Sequence, residues 1–150
     1  MEIATEETIT ASSGRVWTIL ADVRRYPEWN PFIRSLQGTL GPGECIRFSF
    51  AVTSGFAVTV TGRLLAVVPG RELRWAGQLL VPWLFRAEHY HVLEPLGEGA
   101  TRFRHGERFS GLLLPVAWPF LRVWGPGRYR AVNAALKLRA EETPSAEGSP

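Results

Sequence analysis

Phe85-Arg-Ala-Glu-His89-Tyr-His91-Val-Leu93-Glu94, then Thr101-Arg-Phe103-Arg-His105-Gly-Glu107-Arg-Phe109 after a glycine-bearing turn, is the stretch whose alternation decides the fold. With a period of two, Phe85, Ala87, His89, His91 and Leu93 take one side, and Arg86, Glu88, Tyr90, Val92 and Glu94 the other. The second segment separates Thr101, Phe103, His105, Glu107 and Phe109 from Arg102, Arg104, Gly106 and Arg108. The preceding segment, Arg71 to Leu79, divides the same way, with Leu73, Trp75, Gly77 and Leu79 opposite Glu72, Arg74 and Gln78. Three adjacent strands thus carry a charged face for water and an apolar face that also holds three histidines and a glutamate. A solid core rarely accepts such groups without partners, so the pattern predicts a lined interior cavity.

Working outward, Glu2 to Thr10 alternates as a strand, and Ser12 or Ser13 caps a short amphipathic helix on which Val16, Trp17, Leu20 and Val23 share a face. Pro27 and Pro31 forbid one regular helix across Tyr26 to Phe32 and predict a second short helix or tight turn. There Trp29 and Phe32 plug one end of the core and the Asn30 amide ties the turn. Strands follow at Ile33 to Leu40, Glu44 to Thr53 (Ile46, Phe48, Phe50 and Val52 on one face) and Ala57 to Val68, joined by glycine and proline turns, which describes an antiparallel meander. Leu80 to Leu84 reads as a loop, with Trp83 exposed or folded over the cavity mouth. Leu112 to Glu142 is one long helical pattern with a kink or break expected at Gly125-Pro126-Gly127. Residues 1–142 form a single domain, and residues 143–150 read as a disordered tail.

Composition narrows the function classes. The length suits one self-sufficient domain. Residues 1–140 hold 17 basic against 11 acidic residues, a net of +6, but the arginines are scattered and do not form a run. A solvated surface follows, and nucleic acid is not an expected partner. Cys45 is the one cysteine, so no internal disulfide forms, and the acidic N-terminus lacks the pattern of a signal peptide; the cytoplasm is the expected location.

Several elements together carry a resemblance: Val16-Trp17-Thr18-Ile19-Leu20-Ala21-Asp22, Tyr26-Pro27-Glu28-Trp29-Asn30-Pro31-Phe32, Leu73-Arg74-Trp75-Ala76-Gly77, and His89 before Leu93-Glu94-Pro95. Thr101-Arg102-Phe103, Glu107-Arg108-Phe109-Ser110-Gly111 and Asn133-Ala134-Ala135-Leu136-Lys137 complete it. Over about residues 3 to 141 the chain resembles the START/Bet v 1-like superfamily, and more closely the bacterial SRPBCC proteins described as polyketide cyclase/dehydrase and lipid transport. The resemblance implies an α+β helix-grip fold: a curved seven-stranded antiparallel sheet wrapped around a long C-terminal helix, with two short helices after the first strand. It also implies an elongated apolar cavity. Family members bind lipids, sterols, polyketides or plant hormones, and a minority catalyse cyclisation or dehydration.

The expected occupant is a small, largely apolar ligand, with Phe48, Phe50, Trp75, Phe103 and Phe109 as walls and His89, His91, His105 and Glu107 as polar anchors. His89, His105 and Glu107 are the candidates for acid–base chemistry, since a carboxylate beside an imidazole serves enolisation and aldol-type closure. The alternative is that they satisfy one another as a polar network. No cofactor is expected, and no metal, because a spacing of two on one strand is a weak ligand signal and no fourth ligand is apparent. Trp83, Leu84, Trp118, Phe120 and Trp124 suggest a transient membrane contact as a further reading. Whether two copies pair through free sheet edges is left open.

Overall fold

The computed structural model describes residues 1–142 except Val52, Ser54 and Leu79. The expectations for Val52, Leu79 and the 143–150 tail lie outside the described residues. The strands are β1 (Glu2–Ile9), β2 (Ile33–Gln37), β3 (Cys45–Ala51), β4 (Ala57–Val68), β5 (Glu72–Gln78), β6 (Arg86–Pro95) and β7 (Thr101–Ser110). The helices are α1 (Ser13–Ala21), α2 (Tyr26–Trp29) and α3 (Leu114–Glu141), with a 3-10 turn at Val23–Arg25. The described residues form one seven-stranded sheet in the order β1-β7-β6-β5-β4-β3-β2, antiparallel at every step. The first strand joins the last beside it, and α3 packs across β1 and β7. This is the helix-grip.

Local chemistry sets the ends of these elements. The Ser12 side chain accepts a hydrogen bond from the Arg15 amide and caps α1. Asn30 Oδ1 accepts from the amides of Phe32 and Ile33, closing the turn that Pro31 imposes. Irregularities in pairing between Ile33 and Ser35 and between Leu64 and Ala66 act as bulges, which bend and twist a sheet locally. Strand β2 is shorter than expected, because its pairing with β3 ends at Gln37 opposite Arg47.

Helix α3 does not break. It runs through Pro119 and Pro126 as one helix of 28 residues, so of the kink or break expected at Gly125-Pro126-Gly127 the break does not occur. The glycine has another role there: a Cβ on Gly125 would lie 2.5 Å from Ile3 Cδ1, so its bare backbone lets the helix lie close on β1. On its inner side Val132, Asn133, Leu136 and Ala140 are buried. Trp124 is 71% exposed. It stands one turn after Phe120, also exposed, where the helix overhangs the sheet.

The buried core divides into three clusters. One joins Ile9, Val16, Leu20, Leu93, Phe103, Leu136 and Ala140. A second joins Val23, Tyr26, Leu36, Ile46, Leu64, Leu73 and Trp75, with Trp29 packed against it, as the plug reading expects. The third is Ile3, Phe109 and Leu114, backed by Phe85, Trp118, Leu121 and Tyr129. On the charged outer face Tyr90 is buried, covered by Arg74 and Arg108 over its ring and donating to Glu2.

Candidate functional site

Strand register builds the site. Pairing aligns Trp75 with His89, His89 with Glu107 and Glu107 with Ile3, one row across β5, β6, β7 and β1. The next row runs Leu73, His91, His105 and Thr5. Because alternate residues share a face, the two rows place all three imidazoles side by side on the inner surface, under α3. His89 stacks on Trp75 with ring centroids 4.4 Å apart, and His91 stacks on Phe103 at 5.5 Å. Trp75 lies flat here because Gly62 on β4 is bare; a Cβ at that position would come within 3.0 Å of the indole Cδ1.

A cavity of about 470 Å³ lies against these rows. Phe48, Phe50, Val60, Trp75, Phe85, Phe109 and Leu121 make its apolar wall, and His89, His91, His105, Glu107, Arg128 and Tyr129 its polar part. Gln78, Phe120 and Trp124 line it and are also exposed, so it opens between the end of β5 and the first half of α3. Of the expected walls, Phe103 is misplaced. It is fully buried among Val16, Leu20 and Leu136, one stacking layer behind His91, and does not line the cavity.

Hydrogen bonds order the imidazoles. Thr5 Oγ1 donates to the carbonyl of His105, so it must accept from Asn133 Nδ2 at 3.0 Å. That turns Asn133 Oδ1 toward His105 Nδ1, 2.7 Å away, which therefore carries the hydrogen. Burial pushes the His105 pKa well below the usual histidine value, with the neighbouring His89 adding to the effect. A neutral His105 protonated on Nδ1 offers a lone pair on Nε2, and His89 Nε2, 2.9 Å away, donates to it. His89 Nδ1 is left facing Glu107 Oε2 at 3.9 Å. Glu107 Oε2 also accepts a short hydrogen bond from Tyr129. Burial, then the nearby Glu107 charge, raises the Tyr129 pKa and keeps that phenol a donor.

His91 stands apart from this chain. It is 3% exposed, and burial, reinforced by His105 and His89, pushes its pKa well down. Its Nδ1 has no hydrogen-bond partner, and its Nε2 lies 3.4 Å from His89 Nε2. Chemically, the half-buried His89 can take or give a proton at the cavity edge, with Glu107 placed to stabilise an imidazolium. The Glu107–Tyr129 pair can hold a ligand hydroxyl or carbonyl oxygen.

The alternation of strand residues brings together His89, His91, His105 and Glu107, with Phe48, Phe50, Trp75 and Phe109 around them. Asn133, Tyr129, Arg128 and Thr5 belong to the same site and escape that reading. A signal for Asn133 does exist: it falls one turn beyond Tyr129 and three residues before Leu136, a polar residue on the stripe that α3 buries.

Known proteins fit this architecture. Residues 1–141 match the family model described as polyketide cyclase / dehydrase and lipid transport. The chain belongs to that family. Among solved structures, the Zhui aromatase/cyclase from Streptomyces sp. R1128 superposes with a TM-score of 0.78 at 20% identity, covering 99% of both chains. A START superfamily protein from Mycobacterium smegmatis gives 0.75 at 19% identity, covering 93% of this chain and 97% of that one. Norcoclaurine synthase from Thalictrum flavum gives 0.71 at 13% identity, with 93% of each chain covered. At such identities the likeness carries the fold, and within the family the site must speak for itself. No curated protein sequence matches the chain.

Proposed function

We propose that the protein binds one small, largely apolar molecule inside the cavity, oriented by an oxygen at the polar end. The observation that carries this reading is a 470 Å³ space with a largely aromatic wall, on one side of which His89, Glu107 and Tyr129 stand together. Such a space takes a flat or kinked hydrocarbon skeleton with a hydroxyl or keto group, the class to which lipids and aromatic polyketides belong. The test combines mass spectrometry of an organic extract of the purified protein with thermal-shift screening against fatty acids, sterols and polycyclic phenols. A co-purifying molecule, or stabilisation by one class that weakens in Glu107→Gln, is expected. A blank extract together with a flat screen refutes the reading.

A second reading makes the same cavity a cyclase- or dehydratase-type active site. It is favoured by the His89 side chain, which is 16% exposed, faces the cavity and lies 3.9 Å from the Glu107 carboxylate. His89 would remove a proton beside a ligand carbonyl while Glu107 stabilises the imidazolium, and His105 would hold the ring in orientation. Turnover of a poly-β-keto substrate that survives in His89→Gln and Glu107→Gln would exclude it.

A third reading, contact with a membrane during ligand transfer, draws support from apolar side chains around the mouth. Trp83 is 67%, Val116 71%, Phe120 69% and Trp124 71% exposed. No helix among the described residues is long and apolar enough to cross a membrane, so the contact would be peripheral. Co-sedimentation with anionic vesicles that persists unchanged in Trp83→Ala and Trp124→Ser would exclude it.

A further inference from the structure

We propose that His89, His91 and His105 form a binding site for a divalent transition metal, with zinc the best fit. One ring nitrogen from each lies within 4.8 Å of the other two. Zinc–imidazole bonds of about 2.0–2.1 Å in tetrahedral array place neighbouring nitrogens about 3.3 Å apart. The separations of 2.9 Å between His105 and His89 and 3.4 Å between His89 and His91 bracket that value. The third pair, His91 and His105, lies within 4.8 Å, so side-chain rotation must draw these two rings together around the ion.

The metal-free arrangement leaves His91 without a purpose. Its Nε2 faces a His89 nitrogen whose hydrogen already goes to His105, so that buried nitrogen has no hydrogen to accept. A leucine would fill the space without leaving a buried polar atom unsatisfied. A metal ion explains the third imidazole, because it turns a crowded meeting of ring nitrogens into three lone pairs directed at one cation. Burial already keeps His91 and His105 in the neutral form that ligation requires.

The surrounding groups match what metal-ligating histidines have around them. Asn133 accepts from His105 Nδ1 and leaves Nε2 for the ion. With the ion on Nε2 of His89, the ring hydrogen moves to Nδ1, toward the Glu107 carboxylate 3.9 Å away. That gives one ligand a carboxylate behind it and another an amide. The fourth position faces the cavity, open to water or to an oxygen of a bound molecule. Nitrogen donors of this kind favour zinc, copper, nickel or iron over magnesium and calcium.

These are the chain's three histidines, and Cys45, its one cysteine, is exposed, which makes the test sharp. Untagged, chelator-treated full-length protein is titrated with Co²⁺ and then Zn²⁺. One equivalent of Co²⁺ should bind with the visible bands of a tetrahedral site, and Zn²⁺ should displace it. Cys45→Ser should behave like the wild type, while His91→Ala and His105→Ala should each weaken binding at least 100-fold. Imidazole nitrogen NMR of the wild type guards against misfolded variants: all three ring systems should shift together at one equivalent of Zn²⁺. Absence of Co²⁺ bands and of those shifts at 100 µM metal overturns the proposal, as does binding that survives in folded His91→Ala. Neither result depends on an organic ligand, so cavity occupancy stands or falls separately.

Discussion

Asn133→Leu is the substitution that most directly probes the ordering of the imidazoles. Leucine keeps the branched outline of asparagine and is bulkier, and the site is 1% exposed, so the change removes hydrogen bonds without opening a hole. Two are lost: His105 Nδ1 to Asn133 Oδ1 at 2.7 Å, and Asn133 Nδ2 to Thr5 Oγ1 at 3.0 Å. An orphaned buried donor costs about 1–3 kcal/mol, and the net loss of the other bond adds about 1 kcal/mol. Near 3 kcal/mol in total, and at about 2–4 °C per kcal/mol for a domain of this size, the melting temperature should fall by about 6–12 °C. The protein has one way to soften the loss. His105 can move its hydrogen to Nε2, but that nitrogen then confronts the Nε2 hydrogen of His89, so His89 must shift its own hydrogen to Nδ1, toward Glu107. Asn133→Leu should therefore change the tautomers of both rings, which nitrogen-resolved NMR of three histidines reads directly, whereas Asn133→Asp keeps an acceptor and the wild-type tautomers. A loss below about 0.5 kcal/mol with unchanged imidazole spectra would refute the deduced order of donors and acceptors.

Acid should destabilise the protein through the same rings. Unfolded histidines protonate near pH 6.5, while burial holds His91 and His105 below that value in the folded state. As pH falls below about 6.5 the unfolded chain binds more protons, and stability drops by up to about 2.7 kcal/mol per pH unit for the two groups. Urea titrations of chelator-treated protein should show the steep slope below about pH 6.5 and only a slight one between about pH 7 and 8. Tyr129→Phe removes the donor to Glu107 and should cost about 1–2 kcal/mol in urea unfolding, with weaker binding of any oxygen-bearing ligand. Trp75→Ala strips the ring on which His89 stacks and should cost about 3–5 kcal/mol, measured by calorimetry. Gly62→Val, by contrast, should spare most of the stability while displacing the indole and altering ligand preference in the thermal-shift screen.

Legible in the residues alone are the sheet and the composition of its inner face. Strict alternation across residues 71–79, 85–94 and 101–109 has one solution in a half-buried antiparallel sheet, because a shift of one residue would turn Arg74, Arg86, Arg102, Arg104 and Arg108 inward. That logic placed His89, His91, His105 and Glu107 together. It went wrong on Phe103, since alternation assigns a face but says nothing about where along the strand the cavity ends and solid core begins. The tertiary structure decided the rest. Asn133 and Tyr129 reach the site because α3 crosses β1 and β7 at a depth set by Gly125 lying on Ile3. The helix remains whole through Pro126, since packing along its inner side outweighs the local preference of Gly-Pro-Gly to break. The tautomers of the imidazoles follow from hydrogen bonds between residues as far apart as Thr5, His105 and Asn133. No local pattern can encode such a network, because its geometry exists only once strand register and helix docking have brought the three together.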